Sequence, residues 1–231
     1  MERNALKRFI IHHSAFILPM FPPVELADED GLLCYGGDLS VVALFEAYSK
    51  GIFPWPHEDY PLLWFAPPSR GVLFMDQFHL SRRAWRELRK TRFEFQIDSD
   101  FSGVINGCGA EREYSEGTWV NDEIKAAYLR LHQLGVAHSV ETYLDGELVG
   151  GLYGVSWGHY FCGESMFHRA DNASKAALAF LVEHCKSRSV TWIDCQLQNP
   201  FFEKVGAREI PRHDFLKILS AAMSQPNGLF D

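Results

Sequence analysis

The sequence predicts an α/β (α+β) protein, with a mixed sheet and covering helices preceded by a small loop-rich N-terminal unit. Three stretches carry that expectation. HSVETYLDGELVGGLYGV places Asp145-Gly146 between two strand-like runs, a strong hairpin signal because both turn positions favour positive φ. HYFCGESMF and VTWIDCQL flank the helical NASKAALAFLVEHCK. A strand–helix–strand crossover of that length makes two parallel strands, adjacent or nearly so. FPPVELADEDGLLCYGGDLS, by contrast, is dense in turn formers.

Taken in order, residues 1–70 form the small unit and 71–231 the larger domain, with a soft boundary near Ser69–Gly71. Ser40 can cap the helix VVALFEAYSK, where Val41, Leu44, Phe45 and Tyr48 recur at helical spacing and Gly51 stops it. GIFPWPHEDYPLLWFAPPSRG sets prolines among Phe53, Trp55, Trp64 and Phe65 and reads as a rigid aromatic loop. GVLFM is a strand, and Ser81 caps the helix after it. FEFQID alternates as a strand does. Asn121 caps a helix to about Leu134 whose apolar face is Ile124, Ala127, Tyr128 and Leu131. After the hairpin and the third strand, Asn172 or Asp171 caps a helix with Leu178, Leu181, Val182 and Cys185 as its stripe. QNPFFEKVGAREIPR supplies a short helix and an exit strand.

With 231 residues, 47% of them hydrophobic, the chain can bury a sizeable core. Its net charge of −8 argues against a broadly basic nucleic-acid binder. The exception is SRRAWRELRKTR, which sets Arg82, Arg83, Arg86, Arg89, Lys90 and Arg92 against the single Glu87. That is a local patch, either a solvated helix face or a phosphate-binding one. No apolar run of about 18 residues exists, so no transmembrane helix is expected. Two histidines interrupt the apolar stretch near the start and no small-residue cleavage site follows, so no signal peptide is expected. Five cysteines without paired spacing suit a reducing cytoplasm, and the histidines lack metal-ligand spacing, so no metal is expected.

FCGESMF holds a carboxylate, Glu164, in the interior of an apolar strand, which is costly unless it is paired or used. Strand alternation puts Cys162, Glu164 and Met166 on one face. In WIDCQLQN it puts Trp192, Asp194, Gln196 and Gln198 on one face and Ile193, Cys195 and Leu197 on the other. Two carboxylates and an amide at a splay between parallel strands form a candidate reaction site. The plainer alternative is that Glu164 pairs with an Arg or Lys and Asp194 caps a neighbouring helix.

A hairpin, strand, helix, strand and then NPFFEKVGA resembles the end of the GNAT acyltransferase fold. Acetyl-CoA users of that fold cradle pyrophosphate with a glycine-rich loop, whereas the loop here, HRADNASK, has no glycine. GLLCYGGDLS, YSKGIFPW, EGTWV, YLRLHQLGVAHSVE, LVGGLYGV, FCGESMF, NASKAAL and IDCQLQN, in that order, resemble the motifs of the bacterial leucyl/phenylalanyl-tRNA–protein transferases. The resemblance runs from about Phe21 to about Leu219. It implies a small N-terminal domain, a GNAT-like catalytic domain, and no metal or cofactor. It also implies transfer of Leu, Phe and, less well, Met from aminoacyl-tRNA to proteins with N-terminal Arg or Lys, marking them for degradation. No membrane partner and a monomer are expected.

Residue by residue, the resemblance implies an apolar side-chain pocket of Leu152, Phe161, Leu181 and Ile193. The family commonly has Met where Leu152 stands, and Leu is stiffer, so tolerance of Phe over Leu can differ here. It implies Trp55, Trp119, Tyr48 and Tyr128 around the tRNA's 3′-terminal adenosine, although helix periodicity alone assigns Tyr48 and Tyr128 to core packing. The basic residues 82–92 would hold acceptor-stem phosphates. For the reaction, Gln196 is expected to hydrogen-bond the attacking amine, Asp194 to orient Gln196, and Glu164 to anchor a cationic amino group. A thioester route through Cys162 or Cys195 is disfavoured because neither has a histidine beside it in sequence.

Overall fold

A computed structural model describes residues 20–57, 60–113, 120–226 and 228–230. After a 3-10 turn at Val24–Leu26, strands β1 (Leu32–Tyr35), β2 (Phe53–Trp55) and β3 (Leu63–Phe65) form a three-stranded sheet in the order β1-β3-β2. Two of these strands lie in the segment read as an aromatic loop. Each is three residues long, too short for alternation to register, and β2 carries Pro54 at its centre. Helix α1 (Val41–Ser49) starts where expected, with the Ala43 amide donating to Ser40 Oγ at 3.3 Å.

The main sheet has seven strands: β4 (Ser69–Phe74), β5 (Glu94–Ile97), β6 (Ala137–Leu144), β7 (Glu147–Trp157), β8 (Tyr160–His168), β9 (Trp192–Gln196) and β10 (Arg208–Pro211). Their spatial order is β10-β4-β9-β8-β7-β6-β5. The β6–β7 hairpin turns through Asp145 (φ 52°) and Gly146 (φ 82°). Among the described residues, β8 and β9 are the parallel neighbours and the other pairings are antiparallel, so the sheet is mixed as expected.

Helix α2 (Arg82–Lys90) is capped by Ser81, and α4 (Asp122–Gln133) by Asn121, whose Oδ1 accepts from Ile124 N at 2.9 Å. Helix α3 (Phe101–Glu113) was not anticipated. Its Gly103, Gly107 and Gly109 depress helix propensity. Packing explains one of them: a Cβ on Gly107 would meet the Phe167 ring at 2.7 Å. Helix α5 (Ala173–Ser187) is the crossover between β8 and β9. Its N-cap is Asn172, but in a left-handed conformation (φ 66°) and without a side-chain cap bond; the carboxamide instead donates to Glu87 at 3.2 Å and accepts from Lys175 at 2.8 Å. That ties the start of α5 to α2. Short α6 (Pro200–Lys204) and α7 (Arg212–Met223) complete the elements among the described residues.

One apolar cluster joins α1, α3, α4 and α7 to one face of the sheet. The second joins α5, and the apolar sides of α2 and α6, to the other. No helix among the described residues is long and apolar enough to cross a membrane.

Candidate active site at the splayed strands

β8 and β9 are registered as a parallel pair at Cys162 opposite Asp194. Beside this point β8 carries a bulge: Gly163 opposes Gly154 and Ser165 opposes Tyr153, so Glu164 is the extra residue. An inserted residue reverses the alternation beyond it. Cys162 accordingly packs in the first cluster while Met166 joins Phe161 at the second. The expected common face of Cys162, Glu164 and Met166 therefore holds for the first two and fails for Met166.

Glu164 is 7% exposed and is held by neutral donors. The Tyr48 hydroxyl donates to Oε1 at 2.8 Å, Gln196 Nε2 to the same oxygen at 3.0 Å, and the Tyr128 hydroxyl to Oε2 at 3.1 Å. The two tyrosine hydroxyls also lie within hydrogen-bonding distance of each other; with one proton each, they fill all three contacts only when Glu164 itself carries a proton. Among the described residues, no Arg or Lys pairs with it. Burial raises its carboxyl to about 7, against the pull of hydrogen bonds from Tyr48, Cys162, Tyr128 and Gln196. A carboxyl so placed is near the point of changing charge at neutral pH.

Asp194 is fully buried and its partner is Arg70, on β4. Arg70 Nε donates to Oδ1 at 2.8 Å and Nη2 to Oδ2 at 2.7 Å, a bidentate pair. The Tyr160 hydroxyl adds a third bond at 2.8 Å. Burial works against the guanidinium charge, but the Asp194 carboxylate outweighs it and the Arg70 pKa is raised. Arg70 also donates to Gly51 O at 3.1 Å and lies over the rings of Phe53 (4.5 Å) and Phe215 (4.8 Å). Neither Arg70 nor Tyr160 was singled out from sequence. An arginine opening an apolar strand was the one available signal.

Gln196 ends β9 at φ 60°, a conformation side chains other than glycine rarely adopt. Its backbone N–H donates to Asp194 Oδ1 at 2.8 Å, which holds that bend. Asp194 thus reaches Gln196 through the main chain rather than through the amide. The Gln196 Nε2 turns to Glu164 and, at 3.4 Å, to Cys162 Sγ. The Cys162 thiol pKa is pushed up by burial and then by the Asp194 and Glu164 charges. Cys195 is raised by burial and Asp194 as well and packs in the opposite cluster. Both are poorly suited to act as thiolate nucleophiles.

Above the splay lies a cavity of about 290 Å³. Leu152, Phe161, Leu181 and Ile193 all line it, with Met166 and Leu178, while Glu164 and Gln196 supply polar lining. The volume is at the small end of the ~300–1,000 Å³ usual for ligand sites. Exposed Trp55 also lines it. Tyr48 and Tyr128 are buried and do not line it; their hydroxyls serve Glu164 instead. Trp119 lies outside the described residues. On α2 and just beyond it, Arg82, Arg83, Arg86, Arg89, Lys90 and Arg92 are all exposed, and Arg83 is bridged to Glu87 at 2.8 Å.

A mixed sheet splayed around an apolar cavity with a carboxylate–amide floor suits the binding of an apolar acyl group. The family model for leucyl/phenylalanyl-tRNA protein transferase matches residues 72–220, and that for the family's N-terminal domain matches 37–68. A leucyl/phenylalanyl-tRNA–protein transferase of Pseudomonas fluorescens (strain Pf0-1) is 48% identical over 209 residues, 90% of this chain and 92% of its own. One from Syntrophus aciditrophicus (strain SB) is 50% identical over 208 residues, 90% of this chain and 87% of its own. The crystal structure of FemX superposes on 94% of this chain and 77% of its own with a TM-score of 0.51 at 11% identity, a likeness of fold alone. The chain belongs to the leucyl/phenylalanyl-tRNA–protein transferase family.

Proposed function

We propose that the protein moves Leu, Phe and, less well, Met from aminoacyl-tRNA to the N-terminal Arg or Lys of protein substrates, tagging them for degradation in the cytoplasm. The observation that carries this reading is the cavity, apolar along its walls and polar where Glu164 and Gln196 meet it. The transferred side chain occupies the apolar part. Its ester carbonyl then sits beside the polar floor. Trp55 stacks on the terminal adenosine, and the α2 cations hold backbone phosphates with little base reading.

The reaction is aminolysis of an ester that is already activated, so positioning supplies much of the acceleration. The acceptor α-amino group, with an ordinary pKa near ~8, attacks as the neutral amine, and the ribose hydroxyl leaves. The proton lost from nitrogen returns to the leaving oxygen. With Nε2 committed to Glu164, Gln196 offers its acceptor oxygen to the amine N–H. Glu164, once ionised, anchors a cationic amino group. Asp194 is a positioning residue: it fixes the Gln196 bend and its own charge is met by Arg70.

The test is transfer of label from Leu-tRNA or Phe-tRNA to peptides beginning with Arg, Lys or Ala, without CoA. Label on the Arg and Lys peptides and none on Ala is expected. Silence with both tRNAs would overturn the reading.

A further inference from the structure

The acyl cavity has a second layer behind its wall, supplied by a segment that follows α7. Leu229 is fully buried in the apolar cluster that includes Leu152, Leu181 and Ile193. Its N–H donates to Gly158 O at 3.0 Å, and its carbonyl is met by His184 Nε2 at 2.9 Å. Two main-chain anchors therefore fix the residue before Phe230. The Phe230 ring stacks on His138 at 4.2 Å with 13° between planes, and on His184 at 5.4 Å with 24°. Its third neighbour is Phe161, at 5.8 Å.

His138 is itself oriented, by Asp98 at 2.6 Å and Gly135 O at 3.2 Å. His184 is fixed on α5. The ring of Phe230 is thus stacked against two imidazoles, one on β6 and one on α5, and Phe161 rests against it. Phe161 lines the cavity and Phe230 does not. We propose that Phe230 is a specificity-positioning residue: it backs Phe161 and so sets the depth available to the transferred side chain. This rests on the function proposed above.

Interiors are close-packed, and removing a backing ring leaves space that neighbours fill only in part. Phe161 would tilt back into the vacated volume and the acyl cavity would deepen. A deeper cavity favours Phe over Leu, because a small group in a large apolar pocket forfeits contacts.

The test compares kcat/KM for Leu-tRNA and Phe-tRNA, with one Arg-initiated peptide, in the unaltered protein, Phe230→Ala and Phe230→Leu. Phe230→Ala should shift the Phe-to-Leu ratio toward Phe by about three- to tenfold, and Phe230→Leu should recover most of the original ratio. Circular dichroism and the tRNA dissociation constant should hold steady in both. Transfer by the unaltered protein with a ratio unmoved in Phe230→Ala, or an equal loss for both donors, would overturn this inference alone. If Phe230→Ala fails to fold, Phe230→Val decides: a shift toward Phe of at least about twofold supports backing, and a ratio equal to that of the unaltered protein overturns it. No transfer by the unaltered protein would overturn the parent reading and this one with it.

Discussion

Glu164 is buried among hydroxyls and an amide rather than beside a cation, which leaves its carboxyl near 7. Two outcomes follow. If the ionised form anchors the substrate cation, kcat/KM rises with pH through about 7, with a second rise toward the acceptor amine's ~8. Glu164→Gln should lower transfer at pH 8 by at least about tenfold and erase the lower limb while leaving the upper one. The same shift acts on stability. Between the ordinary carboxylate range and about 7, the folded protein keeps a proton that the unfolded chain releases, so stability falls as pH rises through that window. Urea unfolding of Glu164→Gln should lack that slope. The sequence made Glu164 conspicuous as a charge within an apolar strand. Its partners were not readable there, because Tyr48 and Tyr128 lie 116 and 36 positions away along the chain. The bulge that aims it was equally hidden, since alternation assumes one residue opposite one.

At the scale of elements, helices and strands with clean periodicity or caps were legible: α1, α2, α4, the β6–β7 hairpin and the β8–α5–β9 crossover. Helix α3 was not, because a glycine chosen for close approach to Phe167 looks in sequence like a breaker. The crossover fixed where the site would open, since strands that diverge after one registered pair leave space between them. The basic helix α2 carries its own test. Each exposed cation replaced by Gln should reduce the slope of log K against log salt for tRNA binding by about 1. Arg83→Gln should reduce it less, because Glu87 already holds that guanidinium. Equal slopes across the series would show that α2 stands clear of the phosphates.

Across the whole molecule, the Arg70–Asp194 pair does what neither residue's neighbours in sequence suggest. It links Gly51 and Phe53 of the small N-terminal unit, Phe215 of α7 and the reactive end of β9. Breaking such a pair strands a buried charge and costs roughly 3–5 kcal/mol. Asp194→Asn should therefore lower the Tm measurably as well as reduce transfer, a stability cost that is not legible in IDCQ alone because Arg70 lies far away along the chain. Replacing both members with apolar residues of similar size should recover most of the Tm but not the transfer, since Gln196 loses the bond that holds its bend. Whether the cavity reads an apolar side chain presented on tRNA is decided by one donor series. Initial rates would be measured for Leu-, Phe-, Ala- and Lys-tRNA with a single Arg-initiated peptide. Leu and Phe should run well ahead of Ala, which leaves the cavity unfilled, and Lys, whose charge it cannot satisfy. Lys- or Ala-tRNA transferring as fast as Leu-tRNA would contradict that reading.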